Sequence, residues 1–168
     1  MSAAELDGPW RPPTLRERYE ILRSTRTVAV LGASANKARP SYFVSTYLVS
    51  SSTDFEVWFV NPSADEILGR SVYPSLAALP DAPDLVDVFR KTEDLPGVAE
   101  EVIASGARTL WLQLGLSHDA VAERGTAAGL DVVMNRCLKI EHARFAGGLH
   151  LAGFDTGVIS SKRRLPTG

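Results

Sequence analysis

Cysteines, long apolar runs and an excess of one charge are all scarce in this sequence. Cys137 is the one cysteine among 168 residues, so the chain cannot close a disulfide within itself, which suits a reducing compartment. No apolar run approaches the roughly 20 residues that span a bilayer. Lys and Arg number 18 against 20 Asp and Glu, so no broad charge attracts nucleic acid or an anionic membrane. Any anion site must therefore be local.

The composition predicts one compact domain with short extensions. Hydrophobic residues make up 45 % of the chain, which is enough to build a substantial core. Residues 1–13 are rich in proline and lack the basic start and apolar stretch of a signal peptide. We therefore expect a flexible lead at 1–13, a folded domain at 14–145, an extension at 146–168 and a cytoplasmic location.

Five mostly apolar runs, rich in β-branched residues, alternate with helical patterns. The runs cover residues 27–31, 55–60, 85–89, 109–112 and 130–134. Helices are predicted to begin near Thr14, Ser41, Thr92, Ser117 and Lys139. Continuous apolar runs are typical of strands buried on both faces of a parallel sheet. The alternation predicts an α/β protein with a Rossmann-like, doubly wound, mainly parallel five-stranded sheet and helices on both faces. We expect residues 62–83 to form a loop with a short helical turn.

The turn after the first predicted strand suits an anion. It contains Gly32, several small residues and then a helix start, so backbone N–H groups and the helix dipole can face a phosphate. Ser34 adds a hydroxyl donor, and Lys37 and Arg39 add cationic donors. The alternative is an ordinary strand-to-helix turn with surface cations.

This turn does not match the common nucleotide fingerprints. Gly32 is the one glycine between Leu31 and Pro40, whereas the dinucleotide motif needs G-x-G-x-x-G. That motif also needs an acidic residue after the second strand, where this chain has Asn61-Pro62. The G-x-x-x-x-G-K-[ST] pattern of a P-loop is missing too. A nucleotide with more phosphate and no need for the acidic residue fits better.

No arrangement in the sequence clearly predicts a reaction, and a binding role is favoured over an enzymatic one. Glu141-His142 is a candidate acid/base pair, for which a structural role is favoured. Cys137 follows the fifth strand, where neighbouring cations would favour a thiolate able to exchange with a thiol ligand. A small buried apolar side chain is the favoured interpretation of Cys137. We expect Asp87, inside an apolar strand, to be a buried, hydrogen-bonded structural acid, with a ligand contact as the alternative.

Several short motifs together resemble the small stand-alone CoA-binding proteins. They are Ala-Val-Leu-Gly-Ala-Ser at 29–34, Val-Asn-Pro at 60–62, Asp-Leu-Val-Asp-Val-Phe-Arg at 84–90, Trp-Leu-Gln-Leu-Gly at 111–115 and Asn-Arg-Cys-Leu-Lys-Ile-Glu-His at 135–142. The resemblance implies a fold similar to the CoA-binding domain of the succinyl-CoA synthetase α subunit. It covers no second domain, so it implies binding of coenzyme A or acyl-CoA rather than thioester synthesis.

The resemblance also implies which residues contact coenzyme A. Those at the phosphates are Gly32, Ala33, Ser34, Lys37, Arg39 and Pro40. Those by the nucleotide and the loop after the third strand are Asn61, Pro62 and Arg90. Those nearer the pantetheine arm are Gln113, Asn135, Arg136 and Cys137. Ser63 stands where family members often carry a lysine or similar polar residue, so one phosphate contact is in question.

Two other functions stay open from the sequence. One is an NAD(P)-dependent oxidoreductase, against which the single-glycine turn and the missing acidic residue both argue. The other is a regulatory or assembly module that acts through a protein partner or a second copy. The segment ending in Lys162-Arg163-Arg164 motivates that alternative.

Overall fold

A computed structural model describes residues 9–146 of the chain. Its helices are α1 (Leu15–Ser24), α2 (Pro40–Leu48), α3 (Leu95–Ser105), α4 (Asp119–Ala127) and α5 (Leu138–Ala146). Its strands are β1 (Thr27–Leu31), β2 (Glu56–Val60), β3 (Glu66–Ile67), β4 (Arg70–Tyr73), β5 (Leu85–Val88), β6 (Thr109–Leu112) and β7 (Asp131–Val133). Most of the predicted lead at 1–13, and the extension after residue 146 with its basic end, lie outside the described residues.

The strands form one twisted sheet in the order β3-β4-β2-β1-β5-β6-β7. All neighbouring strands are parallel except β3 and β4, which are antiparallel. The chain builds outward from β1 through β2 to β4, returns to β5 beside β1, and then continues to β6 and β7. Strand order therefore reverses between β1 and β5, which is where ligands bind in doubly wound sheets.

Both faces of the sheet are covered by helices, which explains the continuous apolar strands. On one face Val86, Val88 and Leu110 pack in a cluster with residues of α3 and α4. On the other face Val30 and Trp111 pack in a cluster with residues of α1, α2 and α5. A strand buried on both faces has no polar side to alternate with. The predicted Rossmann-like α/β class is confirmed.

The sheet has seven strands in the described residues rather than the predicted five. The additional strands, β3 and β4, lie in the 62–83 segment that the sequence presented as a loop, together with the expected helical turn at Leu76–Ala78. β3 has two residues, and the four of β4 are exposed or half-buried. Although Ile67 is buried in the core, both strands are too short to show the apolar pattern on which strand prediction depends.

Two helices begin two or three residues after the positions that the sequence predicted. Thr14 does cap α1, where it forms a reciprocal capping box with Glu17. At α4 the cap is His118 rather than Ser117, and its Nδ1 accepts from the Val121 N–H at 3.3 Å. Thr92 begins a short 3₁₀ turn ahead of α3 and does not cap it by a side-chain hydrogen bond.

Within residues 9–146, no helix has the length and apolar character needed to cross a bilayer.

Candidate functional site

The turn after β1 lies at the point where strand order reverses. The Gly32 N–H donates to the Val60 carbonyl at 3.0 Å, which ties the turn to β2. Gly32 has φ +89°, and a Cβ there would overlap the carbonyl oxygen of Phe89 at the end of β5. The glycine is therefore required both by backbone conformation and by the close approach of β5. The turn therefore packs against the ends of β2 and β5, the two strands beside β1.

The segment from Ser34 to Arg39 is an open loop that leads into α2. The Ser34 hydroxyl accepts from the Asn36 N–H at 3.0 Å, and the Asn36 side chain accepts from the Ala38 N–H at 2.9 Å. The N–H groups of Ser34 and Ala35 donate no hydrogen bond within residues 9–146. They precede α2 by six and five residues in the chain, since α2 begins at Pro40. Free amides in a loop that leads into a helix start can hold an anion.

Two cations of this loop are uncommitted. Lys37 and Arg39 are exposed, and neither forms an ion pair with another described residue. Arg39 is also the residue directly before α2, with no side-chain hydrogen bond to the helix. Both side chains can therefore turn toward a phosphate without first breaking an ion pair within residues 9–146.

Asn61 supports the loop from the end of β2. Its Nδ2 donates to the Ala33 carbonyl at 2.6 Å, and its Oδ1 accepts from the Ser63 N–H at 2.7 Å. Through these two bonds the amide positions the loop. The neighbouring Pro62 is exposed. On the other side, Arg90 lies beside Gly32 and forms an ion pair of 3.5 Å with Asp94.

Two side-chain amides among the predicted residues join the segment after β6 to the segment after β7. The buried Gln113 side chain accepts from the Leu138 N–H at 2.9 Å and so caps the start of α5. Asn135 has φ +59°, and its side chain accepts from the Gly115 N–H at 2.7 Å. Asparagine tolerates that left-handed conformation better than most residues. Both amides therefore fix the loops at this end of the sheet.

Arg136 and Cys137 connect β7 to α5. The Arg136 carbonyl accepts from the Trp111 indole at 2.8 Å, which fixes the backbone, while its guanidinium lies 3.8 Å from Glu141. Cys137 is half-buried, and its carbonyl accepts from the Glu141 N–H at 3.0 Å. The structure therefore places Cys137 at the carboxyl edge of the sheet.

Glu141 and His142 do not form an acid/base pair. Glu141 is buried and paired with Arg18 of α1. His142 points to α2, where its Nδ1 lies 2.8 Å from the Tyr47 hydroxyl. Burial lowers the pKa of His142, although Asp54 acts in the opposite direction, and burial raises the pKa of Tyr47. The two neighbours in sequence thus serve different helix contacts, in line with the favoured structural role.

The expected hydrogen bonds of Asp87 are not formed. Asp87 is fully buried in β5, and neither carboxylate oxygen has a hydrogen-bond partner within the described chain. Burial raises the pKa of Asp87 well above the ordinary value, because desolvation disfavours the charged carboxylate. Its register partners are Val30 of β1 and Trp111 of β6, which supply no acceptor at this position.

One contact that the sequence did not suggest joins the two groups of predicted residues. The Lys139 Nζ lies 3.7 Å from the centre of the Phe43 ring, in the first turn of α5 and the first half of α2. The two residues are on different elements with no sequence pattern between them. The contact brings the start of α5 beside α2, so the loop after β1 and the loop after β7 share one edge.

A cavity of about 390 Å³ lies away from this edge. Trp10, Ile21 and Leu130 are among the residues that line it, near the start of β7, and the Trp10 indole donates to the Val132 carbonyl at 2.9 Å. None of the predicted coenzyme contacts lines this cavity.

The similarity of the chain to known proteins agrees with this geometry. The model of the CoA-binding domain family matches residues 26–143, which include β1 to β7 and most of α5. This chain belongs to the CoA-binding domain family. The family match and the order of the motifs confirm the resemblance to small stand-alone proteins of this type.

Two small relatives match this chain over nearly their whole length, and a larger ligase matches over a small part of its own. The uncharacterized protein YneT of Bacillus subtilis is 37 % identical over 131 residues, which cover 78 % of this chain and 96 % of YneT. A solved structure of a hypothetical protein from Pyrococcus horikoshii is 34 % identical with a TM-score of 0.73, and the match covers 82 % of this chain and 97 % of that chain. The ADP-forming acetate–CoA ligase II of Archaeoglobus fulgidus is 30 % identical over 96 residues, which are 57 % of this chain but 14 % of the ligase.

Proposed function

We propose that this protein binds coenzyme A or an acyl-CoA at the carboxyl edge of the sheet, with the diphosphate on the loop from Gly32 to Pro40. The observation that carries the proposal is this loop in a member of the CoA-binding domain family. Within residues 9–146, the amides of Ser34 and Ala35 and the cations of Lys37 and Arg39 have no partner, and the loop leads into the start of α2. Amides and a helix start neutralise a diphosphate in many nucleotide sites.

We place the rest of the coenzyme along the same carboxyl edge of the sheet. Pro62 lies exposed beside the loop, where it can contact the adenosine, with Asn61 holding the loop beneath it. We place the pantetheine arm toward Asn135, Arg136 and Cys137, across the sheet from Asn61. Gln113 acts from below by fixing the start of α5.

The role we propose is binding rather than a covalent reaction. Glu141 and His142, the neighbouring titratable residues at this end of α5, are each committed to a partner on another helix. The two amides at the pantetheine end are committed to backbone groups. A single cysteine and a balanced charge suit a cytoplasmic binding protein, and we propose that location.

Calorimetry with three ligands tests the proposal. The full chain is titrated with coenzyme A, 3′-dephospho-coenzyme A and NAD. We expect saturable binding of coenzyme A and no comparable binding of NAD, because the loop lacks the dinucleotide motif. Failure to detect coenzyme A binding at high micromolar concentrations would refute the proposed function, and saturable NAD binding in its place would favour an oxidoreductase. A native mass spectrum of the protein as isolated would show a bound coenzyme directly.

A further inference from the structure

Three arginines converge on one buried carboxylate beside the proposed pantetheine end. Arg18 of α1 pairs with Glu141 at the floor of the group, and both side chains are buried. Arg144 lies 3.5 Å from the second carboxylate oxygen, and Arg136 lies 3.8 Å from the first. We call Arg18, Arg136, Arg144 and Glu141 the arginine cluster.

The arginine cluster is not balanced in charge. Three guanidinium groups surround one carboxylate, which leaves a surplus of two positive charges. Arg18 is the nearest and the most buried, so it accounts for the charge of Glu141. The side chains of Arg136 and Arg144 stay 43 % and 42 % exposed. Both guanidinium groups therefore lie within 4 Å of the same carboxylate, in reach of solvent, and that carboxylate is already neutralised by Arg18.

An apolar side chain accompanies these two cations. Ile140 precedes Glu141 in α5, is four residues from both Arg136 and Arg144, and is 53 % exposed. Residues four apart on a helix share one side of it, so Ile140 and Arg144 are neighbours on the surface of α5. The backbone of Arg136 is fixed on both sides, since its carbonyl accepts from the Trp111 indole and its N–H donates to the Leu112 carbonyl at 3.4 Å. The surface thus offers an apolar contact next to two cationic side chains, one of which extends from a hydrogen-bonded backbone.

We propose that the arginine cluster and Ile140 receive the acyl group of an acyl-CoA whose chain ends in a carboxylate. The proposal rests on the proposed function, which places the pantetheine arm at Arg136. A short chain that continues from the thioester along α5, from its start toward its last turn, lays its methylene groups on Ile140. Its terminal carboxylate pairs with Arg136 and Arg144, whose guanidinium groups match carboxylate geometry.

The charge balance separates this ligand from neutral acyl-CoAs. A neutral chain of the same length gains the contact with Ile140 and leaves the surplus positive charge unpaired. A terminal carboxylate removes part of that surplus through charge-assisted hydrogen bonds, which are the stronger class. The arginine cluster therefore selects by the end group of the chain rather than by its length.

A matched pair of ligands tests this selection. Succinyl-CoA and butyryl-CoA have four acyl carbons each and differ in whether the chain ends in a carboxylate or a methyl group. We expect calorimetry on the full chain to show succinyl-CoA binding about tenfold or more tighter than butyryl-CoA, as charge-assisted hydrogen bonds predict. The preference should weaken as salt is raised, because both arginines are partly exposed.

Variants of Arg144 assign the preference to the arginine cluster. Arg144→Gln should bring the ratio of the two affinities close to one, and Arg144→Lys should retain part of it, since lysine keeps the charge but not the forked geometry. The control is Arg124→Gln, which removes a similarly exposed arginine paired with Glu100 on the other face. Thermal unfolding of each variant confirms that it is folded.

The outcomes separate this inference from the proposed function. Equal affinity for both acyl-CoAs, tighter binding of butyryl-CoA, or an unchanged ratio in Arg144→Gln would overturn the acidic-acyl assignment while leaving coenzyme A binding intact. Binding of no CoA compound at all would instead remove the proposed function on which the assignment rests.

Discussion

The carbonyl oxygen of Phe89 occupies the space that a side chain on Gly32 would need. The two residues follow β1 and β5, the adjacent strands between which the order of the sheet reverses. The Phe89 N–H also donates to the Leu31 carbonyl at 2.8 Å, and this hydrogen bond joins the ends of β1 and β5. The start of the proposed phosphate loop is thus set by backbone packing rather than by a side chain.

Gly32→Ala is therefore expected to damage both stability and binding. The added Cβ meets backbone atoms that cannot move away independently, at a φ that L-residues avoid. We expect the free energy of unfolding to fall by about 2–4 kcal/mol and coenzyme A binding to be lost. Urea denaturation and calorimetry measure the two effects.

Gly69→Ala is the matched control for that variant. Gly69 also has a positive φ, of +75°, but nothing lies within 4 Å of the position of its Cβ. It should cost about 1 kcal/mol, from backbone strain alone, and leave coenzyme A binding unchanged. Equal losses in the two variants would contradict a special role for the contact with Phe89.

A double substitution in the loop tests the phosphate site. Ser34→Ala with Arg39→Ala removes a hydroxyl and an unpaired guanidinium at the start of α2. Each charge-assisted phosphate contact is worth about 1.5–3 kcal/mol, so we expect coenzyme A affinity to fall at least tenfold in calorimetry.

Arg39→Ala alone separates the two contributions, because the Ser34 hydroxyl also accepts from the Asn36 N–H and shapes the loop. Arg23→Ala, at an exposed arginine of α1 that pairs with Glu20, is the control and should keep the original affinity. Wild-type affinity in the double variant would mean that the phosphates bind elsewhere.

The local features of this site were predictable because they are written in consecutive residues. An apolar β-branched run followed by a glycine, small residues and a proline predicts a strand, a turn and a helix start. The structure has these elements in the same order, with α2 beginning at Pro40. Short polar strands such as β3 and β4 have no comparable signal, since their pairing and not their composition makes them strands.

The partners of the polar side chains were not predictable, because they depend on the packing of distant segments. The sequence predicts Asn61 beside the nucleotide but does not show that its amide also bonds to the loop 28 residues earlier. Glu141 was considered with its neighbour His142, whereas its partner Arg18 is 123 residues away. A sequence shows which side chains are polar, and the helix packing decides which of them meet.

Asp87 should make stability depend on pH in an unusual direction. Its folded pKa is raised by burial above the ordinary value of 3.8. Between these two pKa values the folded protein keeps a proton that the unfolded chain releases, so stability falls as pH rises above about 3.8 and levels off above the folded pKa. Asp87→Asn cannot ionise and removes this dependence. We expect the stability of the variant relative to wild type to improve as pH rises from 4 to 7 in urea denaturation.

Asp84 provides the opposite control. Burial alone would raise its pKa, but N–H donors from Arg26 and Thr27 and the charge of Arg108 outweigh it, so the pKa is lowered. Its contribution is present above the unfolded pKa and is lost as pH falls through the folded value. Asp84→Asn should therefore lose stability mainly at neutral pH. The same pH trend in both variants would contradict the raised pKa of Asp87.

Removing Glu141 from its ion pair with Arg18 should cost more stability than removing Arg18. Glu141→Leu leaves Arg18 buried without a carboxylate, and the loss of one member of a buried pair costs about 3–5 kcal/mol. Arg18→Met should cost less, because Arg144 and Arg136 still lie within 4 Å of Glu141 and can share its charge. The double variant should cost less than the sum of the two, since neither charge is then stranded. Urea denaturation of the three variants measures the cycle, and additive losses would show that the two side chains act independently. An equal loss in the two single variants would mean that Arg136 and Arg144 do not support Glu141 when Arg18 is removed.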